Sequence, residues 1–364
     1  MGSSNAGGKE RRGIWRFLET GKNRGLRGRR AALCAKEKAL FSLKESILLY
    51  DLTSTYFEGL SLSNPKAKRG YSRDSRPDCK QVVVGLVLDG EGFPKAHEIF
   101  AGNRSDSTTV GDMLAVLQKR VGKSKDATVV VDRGMANPEN LATIKAAGYH
   151  WLVAVPQPER VCYFDQYEEQ AGWQEIVRES SPRNEGQHKV RVLVKPAQSP
   201  DGSQSIALCW SEGRTQKDRA IRQKQEVRFL ADIEKLAKRI ALGRLRTAAK
   251  IYEAIGRLKE RYPRVARYYH MAYDEQQSEL SFSEDVERKQ KAESLDGSYL
   301  LKSSRSDLSA EDIWRTYVLL SRVEAAFRAM KSPLCERPHL PPLGTPGRNS
   351  YLFVCAGLPL VGLY

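Results

Sequence analysis

Hydrophobic and polar positions change period several times along the chain, and each change predicts an element. Ile47-Leu-Leu-Tyr leads straight into Asp51 and then into the hydroxyl-rich stretch up to Phe57. An apolar run of that length reads as a buried strand carrying an acid. The polar stretch Ser61–Lys80, with Lys66, Lys68, Arg69, Arg73, Arg76 and Lys80, reads as a basic loop. Gln81–Leu88 is an apolar strand that closes on Asp89-Gly90, a hairpin signal, and Phe93–Phe100 returns as its partner. Gly102–Ser107 reads as a turn and helix cap. Asp112–Val121 is apolar at helical spacing, Thr128–Val131 is a strand running into Asp132, and Pro138–Ala147 is a helix that starts on proline. Tyr149–Val155 is a fifth strand. Three antiparallel strands followed by helix, strand, helix and strand predict an α/β fold with a mixed sheet.

From Pro156 to Asp296 the pattern shortens. Arg191–Val194 and Ser205–Trp210 are short strands between polar loops, Gln223–Arg261 reads as one or two basic helices, and Arg267–Tyr273 with Glu279–Phe282 reads as a hairpin. This predicts a mixed, strand-rich insertion. Asp296–Leu301 returns to strand character. Leu308–Lys331 then reads as one long amphipathic helix, with Ser309 as cap and Asp312 in the place of a capping-box glutamate. Ile313, Tyr317, Leu320, Val323 and Phe327 share a face, and Glu324 falls within that apolar stripe. A lone carboxylate there is costly unless it is paired or bound to a cation.

Charge sharpens this picture. The 364 residues hold 60 Lys and Arg against 44 acids, a formal net charge of +16, which points to a polyanion partner. The six cysteines form no C-x-x-C pair and read as reduced thiols of a cytoplasmic protein. No signal-peptide pattern and no apolar run long enough to span a membrane is present. If the strands ending at Asp51 and Asp132 lie side by side, their carboxylates repel and raise each other's pKa. A divalent cation resolves that repulsion, and hard oxygen ligands suit Mg²⁺ or Mn²⁺.

Four motifs taken together resemble the DDE transposases of bacterial insertion sequences, in the group with a β-rich insertion before the last acid. They are Tyr50-Asp51-Leu-Thr-Ser-Thr-Tyr-Phe, Gly102-Asn103-Arg104-Ser-Asp106, Val131-Asp132-Arg133-Gly134-Met135, and Val323-Glu324-Ala-Ala-Phe327-Arg328-Ala-Met-Lys331-Ser332. The resemblance implies an RNase H-like mixed sheet flanked by helices and interrupted by a β-rich and helical insertion. It also implies Asp51, Asp132 and Glu324 as a triad binding Mg²⁺ or Mn²⁺, cleavage of double-stranded DNA at the element's ends, strand transfer into a target, and a homodimer on paired ends. The family's last helix carries Tyr, Arg, Glu and Lys at fixed spacing. Here Tyr317, Glu324 and Lys331 keep those places, and Leu320 stands where the Arg belongs. Arg322 or Arg328 is the expected substitute. Tyr317, Lys331, Arg322, Arg328 and Arg133 are the expected DNA contacts.

The expected division is a basic N-terminal segment over 1–44, read as truncated, and a catalytic core over 45–156. An insertion over 157–296, the Glu helix within 297–338 and an irregular tail over 339–364 complete it. The tail is rich in Pro and Gly where the family continues as helix. Removing one nucleotide after the Pro338 codon restores a helical pattern with suitable synonymous codons, so a frameshift is expected there. This keeps open an alternative, an inactive transposase-derived protein that binds DNA. An aspartyl-nucleophile phosphatase would want a second Asp at position 53, where Thr53 stands.

Overall fold

The computed structural model describes residues 46–331, apart from 63, 123–125, 178–189 and 200–201. The expectations for the N-terminal segment and the tail, and Cys34, Cys335 and Cys355, lie outside the described residues. In chain order the elements are β1 (Ile47–Tyr56), β2 (Gln81–Asp89), β3 (Pro94–Ala101), α1 (Val110–Val121), β4 (Thr128–Val131), α2 (Pro138–Ala146) and β5 (His150–Ala154). There follow α3 (Phe164–Glu168), β6 (Gln174–Glu175), β7 (Val192–Gln198), β8 (Ser205–Ser211), α4 (Glu212–Ala241) and α5 (Ala248–Arg261). The series ends with β9 (Tyr269–Asp274), β10 (Glu279–Glu284), α6 (Val286–Ser294), β11 (Ser298–Ser303), α7 (Ala310–Val318) and α8 (Ser321–Lys331).

The chain forms two compact units. One takes in the described residues through Ala154, Lys302–Asp307 and those from Arg315 on; the other is Val155–Leu301 with Leu308–Trp314.

In the first unit the strands run in the order β3-β2-β1-β4-β5. The pairs β3/β2 and β2/β1 are antiparallel, whereas β1/β4 and β4/β5 are parallel. This is the mixed sheet of the RNase H-like fold. Side chains alternate between its faces. Leu48, Tyr50 and Leu52 join Val83, Val87, Val129 and Val131 in a core under α1 and α2, where Met113, Leu117 and Ile144 close it. The Tyr50 hydroxyl donates to Thr109 Oγ1 at 2.7 Å in that layer. Leu49, Asp51 and Thr53 therefore belong to the opposite face, opposite Leu88, Leu86 and Val84 in register. Helix α8 packs against β1 and β2, and its buried residues Val323, Phe327 and Met330 take no part in the α1/α2 core.

The expected single helix over Leu308–Lys331 is two helices. Between α7 and α8 the bonds from Leu320 N to Tyr317 O, Arg322 N to Leu319 O and Val323 N to Leu320 O all span three residues. Such bonds tighten the helix to three residues per turn. The tightened turn resets the apolar stripe, so Val323, Phe327 and Met330 turn inward and Glu324 is exposed beside the stripe rather than set within it. The start of α7 follows expectation: Ser309 Oγ accepts from Asp312 N at 3.1 Å, and Asp312 Oδ2 accepts from Ser309 N at 3.4 Å.

The second unit places β11, β8, β7 and β6 side by side in that order, with β7/β8 and β6/β7 antiparallel. The strand-rich expectation for this unit is incomplete. Helix α4 is 30 residues long and begins well before Gln223. It buries Phe229, Ile233, Leu236 and Ile240 with Ile251, Ile255 and Leu258 of α5 and with Leu280 of the β9–β10 hairpin. That apolar stripe, not strand pairing, supplies the larger core of the unit. No described helix is long and apolar enough to cross a membrane.

Candidate active site

Strands β1 and β4 are parallel with Tyr50 opposite Val131. Adjacent strands lie about 4.8 Å apart, so the next residues, Asp51 and Asp132, emerge side by side beyond the last pair. Asp51 is half-buried and Asp132 is exposed. A single turn of 3₁₀ helix, Arg133–Met135, follows Asp132 and is closed by Met135 N on Asp132 O at 3.0 Å. Asn140 Nδ2 steadies this turn by donating to Met135 O at 2.9 Å.

Burial pushes the Asp51 carboxyl up to about 7, against the backbone hydrogen bond from Leu52 N to its Oδ1 at 2.7 Å. The negative charges of Asp132 and Glu324 push it the same way, and Arg73 opposes them. The three acids named from the sequence therefore act on one another within a single unit. Glu324 comes from α8, which lies on the Asp51 face. Among the described residues, no three acidic, His or Cys side chains converge closely enough to hold one metal ion. The donor set nevertheless fits a hard divalent cation: all its donors are carboxylate oxygens. One of these acids is so disfavoured as an anion that a cation would relieve it.

The remaining expected residues are spread more widely. Tyr317 places its hydroxyl 3.4 Å from Asp132 Oδ1, so it stands beside the acids. Leu320, in the family's Arg position, is buried. Arg322 points to the β2–β3 turn, where its guanidinium donates to Gly90 O and lies 3.9 Å from Glu91 Oε2. Arg328 is exposed and one turn beyond Glu324 on the same helix face. Arg133 is exposed directly after Asp132. Lys331 Nζ lies 2.9 Å from Asp74 Oδ1.

Sequence reasoning missed Asp74 altogether and did not single out Arg73 among the basic residues of its loop. Arg73 N donates to Ser54 Oγ on β1 at 3.1 Å, and its guanidinium pairs with Asp106. Asp106 belongs to the Gly102–Asp106 motif, whose role is largely structural. A Cβ on Gly102 would stand 1.9 Å from Gln81 O and 2.4 Å from Lys68 O. Only glycine allows that approach, which seats the 61–80 loop against the end of β3. An acid amid six cations was the one signal for Asp74, and it is a weak one.

The sequence model of the family described as Transposase DDE domain matches residues 42–342. No curated protein matches the chain. Among solved structures, the piggyBac transposase synaptic complex with hairpin DNA is similar at 7% identity and TM-score 0.37, covering 87% of this chain and 45% of that one. The Mos1 transposase paired-end complex with left transposon end is 15% identical at TM-score 0.22, covering 37% of this chain and 44% of that one. The Mos1 mariner paired end complex with Mn is 14% identical at TM-score 0.21, covering 36% and 43%. The chain spans less than half the length of these structures.

Proposed function

The chain belongs to the family of transposases with a DDE domain, and from that premise we propose that it cuts double-stranded DNA at the ends of an insertion element and joins them to a target. The observation that most supports this is the mutual influence of Asp51, Asp132 and Glu324, which reach one face of the sheet from two strands and a helix. Mg²⁺ or Mn²⁺ held by these carboxylates would supply activation of a water or 3′-hydroxyl and stabilise the leaving oxygen at phosphorus.

The chain's own groups divide the remaining work. Asp51 retains its proton up to about neutral pH and releases it on engaging a cation. Tyr317 steadies Asp132 through its hydroxyl. Arg328 and Arg133 are exposed near the acids and suit phosphate oxygens. In the second unit, Arg214, Lys217, Lys224, Arg228, Lys235 and Lys238 recur at alternating three- and four-residue steps or their sums along α4, and all are exposed. Such a stripe follows one side of a helix and fits a phosphate backbone. A homodimer on paired ends is part of the proposal.

The test is nicking of a supercoiled plasmid that carries the element's ends, with Mg²⁺ or Mn²⁺ added. Metal-dependent nicking that disappears in Asp51→Ala, Asp132→Ala and Glu324→Ala is expected. Nicking that survives any of the three would remove that acid from the assignment.

A further inference from the structure

The turn Ser72–Ser75 touches more of the candidate site than its sequence suggests. Its Arg73 N is bonded to Ser54 Oγ, three residues from Asp51 on β1. Its Arg73 guanidinium pairs with Asp106. Its Asp74 receives Lys331 Nζ at 2.9 Å, and the two side chains are 4% and 15% exposed. Two adjacent residues thus tie together β1, the turn before α1, and the C-terminal end of α8.

Lys331 is seven residues from Glu324, two helical turns along the same face. A helix held at that point cannot slide or rotate over β1 without breaking the ion pair. Withdrawing Lys331 toward a phosphate would take this cation away from a nearly buried carboxylate, which is strongly unfavourable. We propose that Lys331 is a positioning residue for Glu324, acting through Asp74 to fix α8 on β1, rather than a contact to DNA. This rests on the transposase reading for what Glu324 does; the lock itself rests on the pair.

The two roles separate in measurements that need no turnover. In the full chain, Lys331→Met and Asp74→Asn are each expected to raise the Mn²⁺ concentration for half-saturation, followed by calorimetry, about tenfold or more. Both should speed amide exchange in α8, and the double variant should be no worse than either single one. Lys331→Arg should keep Mn²⁺ binding. Affinity for a short duplex of arbitrary sequence, and its dependence on salt, should not change. A phosphate-binding lysine gives the reverse pattern: Lys331→Met lowers the salt slope by about one, and Asp74→Asn frees the lysine and tightens DNA binding. That pattern overturns the proposal, as does unchanged amide exchange in both variants. Unchanged Mn²⁺ binding in both also overturns it, provided Asp132→Ala weakens Mn²⁺ binding. If Asp132→Ala leaves Mn²⁺ binding untouched, the triad reading falls instead, and exchange in α8 alone decides the lock.

Discussion

Replacing Asp51 by asparagine should stabilise the metal-free protein while removing its response to metal. The carboxyl moves from its ordinary 3.8 to about 7 in the fold, chiefly through burial. Below about pH 4 both folded and unfolded chains carry the proton, and no stability is forfeited. As pH rises from about 4 to about 7 the unfolded chain ionises while the fold still holds its proton, so stability falls. Above about 7 the fall is complete, and the distance between the two values corresponds to about 4 kcal/mol. Asp51 is half-buried, and solvent screening reduces this to about 2–3 kcal/mol. A neutral amide avoids the penalty and still accepts the Leu52 N–H. Urea unfolding followed by circular dichroism, with chelator or with Mn²⁺, measures it. In chelator at about pH 8 the Asp51→Asn protein should be more stable than the parent by about 2–3 kcal/mol, and at about pH 5 the gap should narrow. Mn²⁺ should stabilise the parent and leave the variant unmoved. A variant no more stable than the parent at about pH 8 in chelator would refute the account of Asp51.

The remaining predictions concern parts that hold or flank the site. Lys95 and Asp89 form an ion pair at 3.2 Å with both side chains 1% exposed. Lys95→Met should destabilise by about 3–5 kcal/mol in chemical denaturation, and adding Asp89→Asn should recover part of that. Gly102→Ala should cost about 3 kcal/mol or more by overpacking against Gln81 O and Lys68 O, and limited proteolysis should then cut within 61–80. Charge reversal at Lys217, Lys224 and Arg228 should flatten the salt dependence of duplex binding by about 0.9 for each phosphate no longer neutralised, without altering the thermal midpoint of the first unit. Arg322→Ala should lower stability by about 1 kcal/mol by removing its bond to Gly90 O, whereas Arg328→Ala should lower DNA affinity at unchanged stability.

Most of the first unit was legible because its strands are fully apolar and end on chemistry. The four buried residues of β4 and the continuous burial of β2 need no tertiary information to be read as strands. The acids were legible for the same reason, since each follows or interrupts an apolar run. What escaped depends on local hydrogen bonding or distant packing. Nothing in Val318-Leu319-Leu320 signals a break in the last helix, because Leu and Val are acceptable in a helix. The break comes from bonds that reach only three residues back. The early start of α4 was hidden by a polar, basic first half whose apolar face is thin. Asp74 was invisible because its partner, Lys331, is remote in sequence.

The order of the acids along the chain has a temporal consequence. Asp51 and Asp132 lie in the portion that forms the five-stranded sheet before any of the second unit exists. Glu324 follows only after Val155–Leu301 has been made. At about 5–20 residues per second of synthesis, that delay is on the order of ten seconds or more. A nascent chain can therefore fold its sheet and pair its first two acids while the third is still absent. Completion of the cutting site waits on manufacture of the intervening unit, so a ribosome-bound or prematurely ended chain carries the scaffold of a nuclease without its last carboxylate.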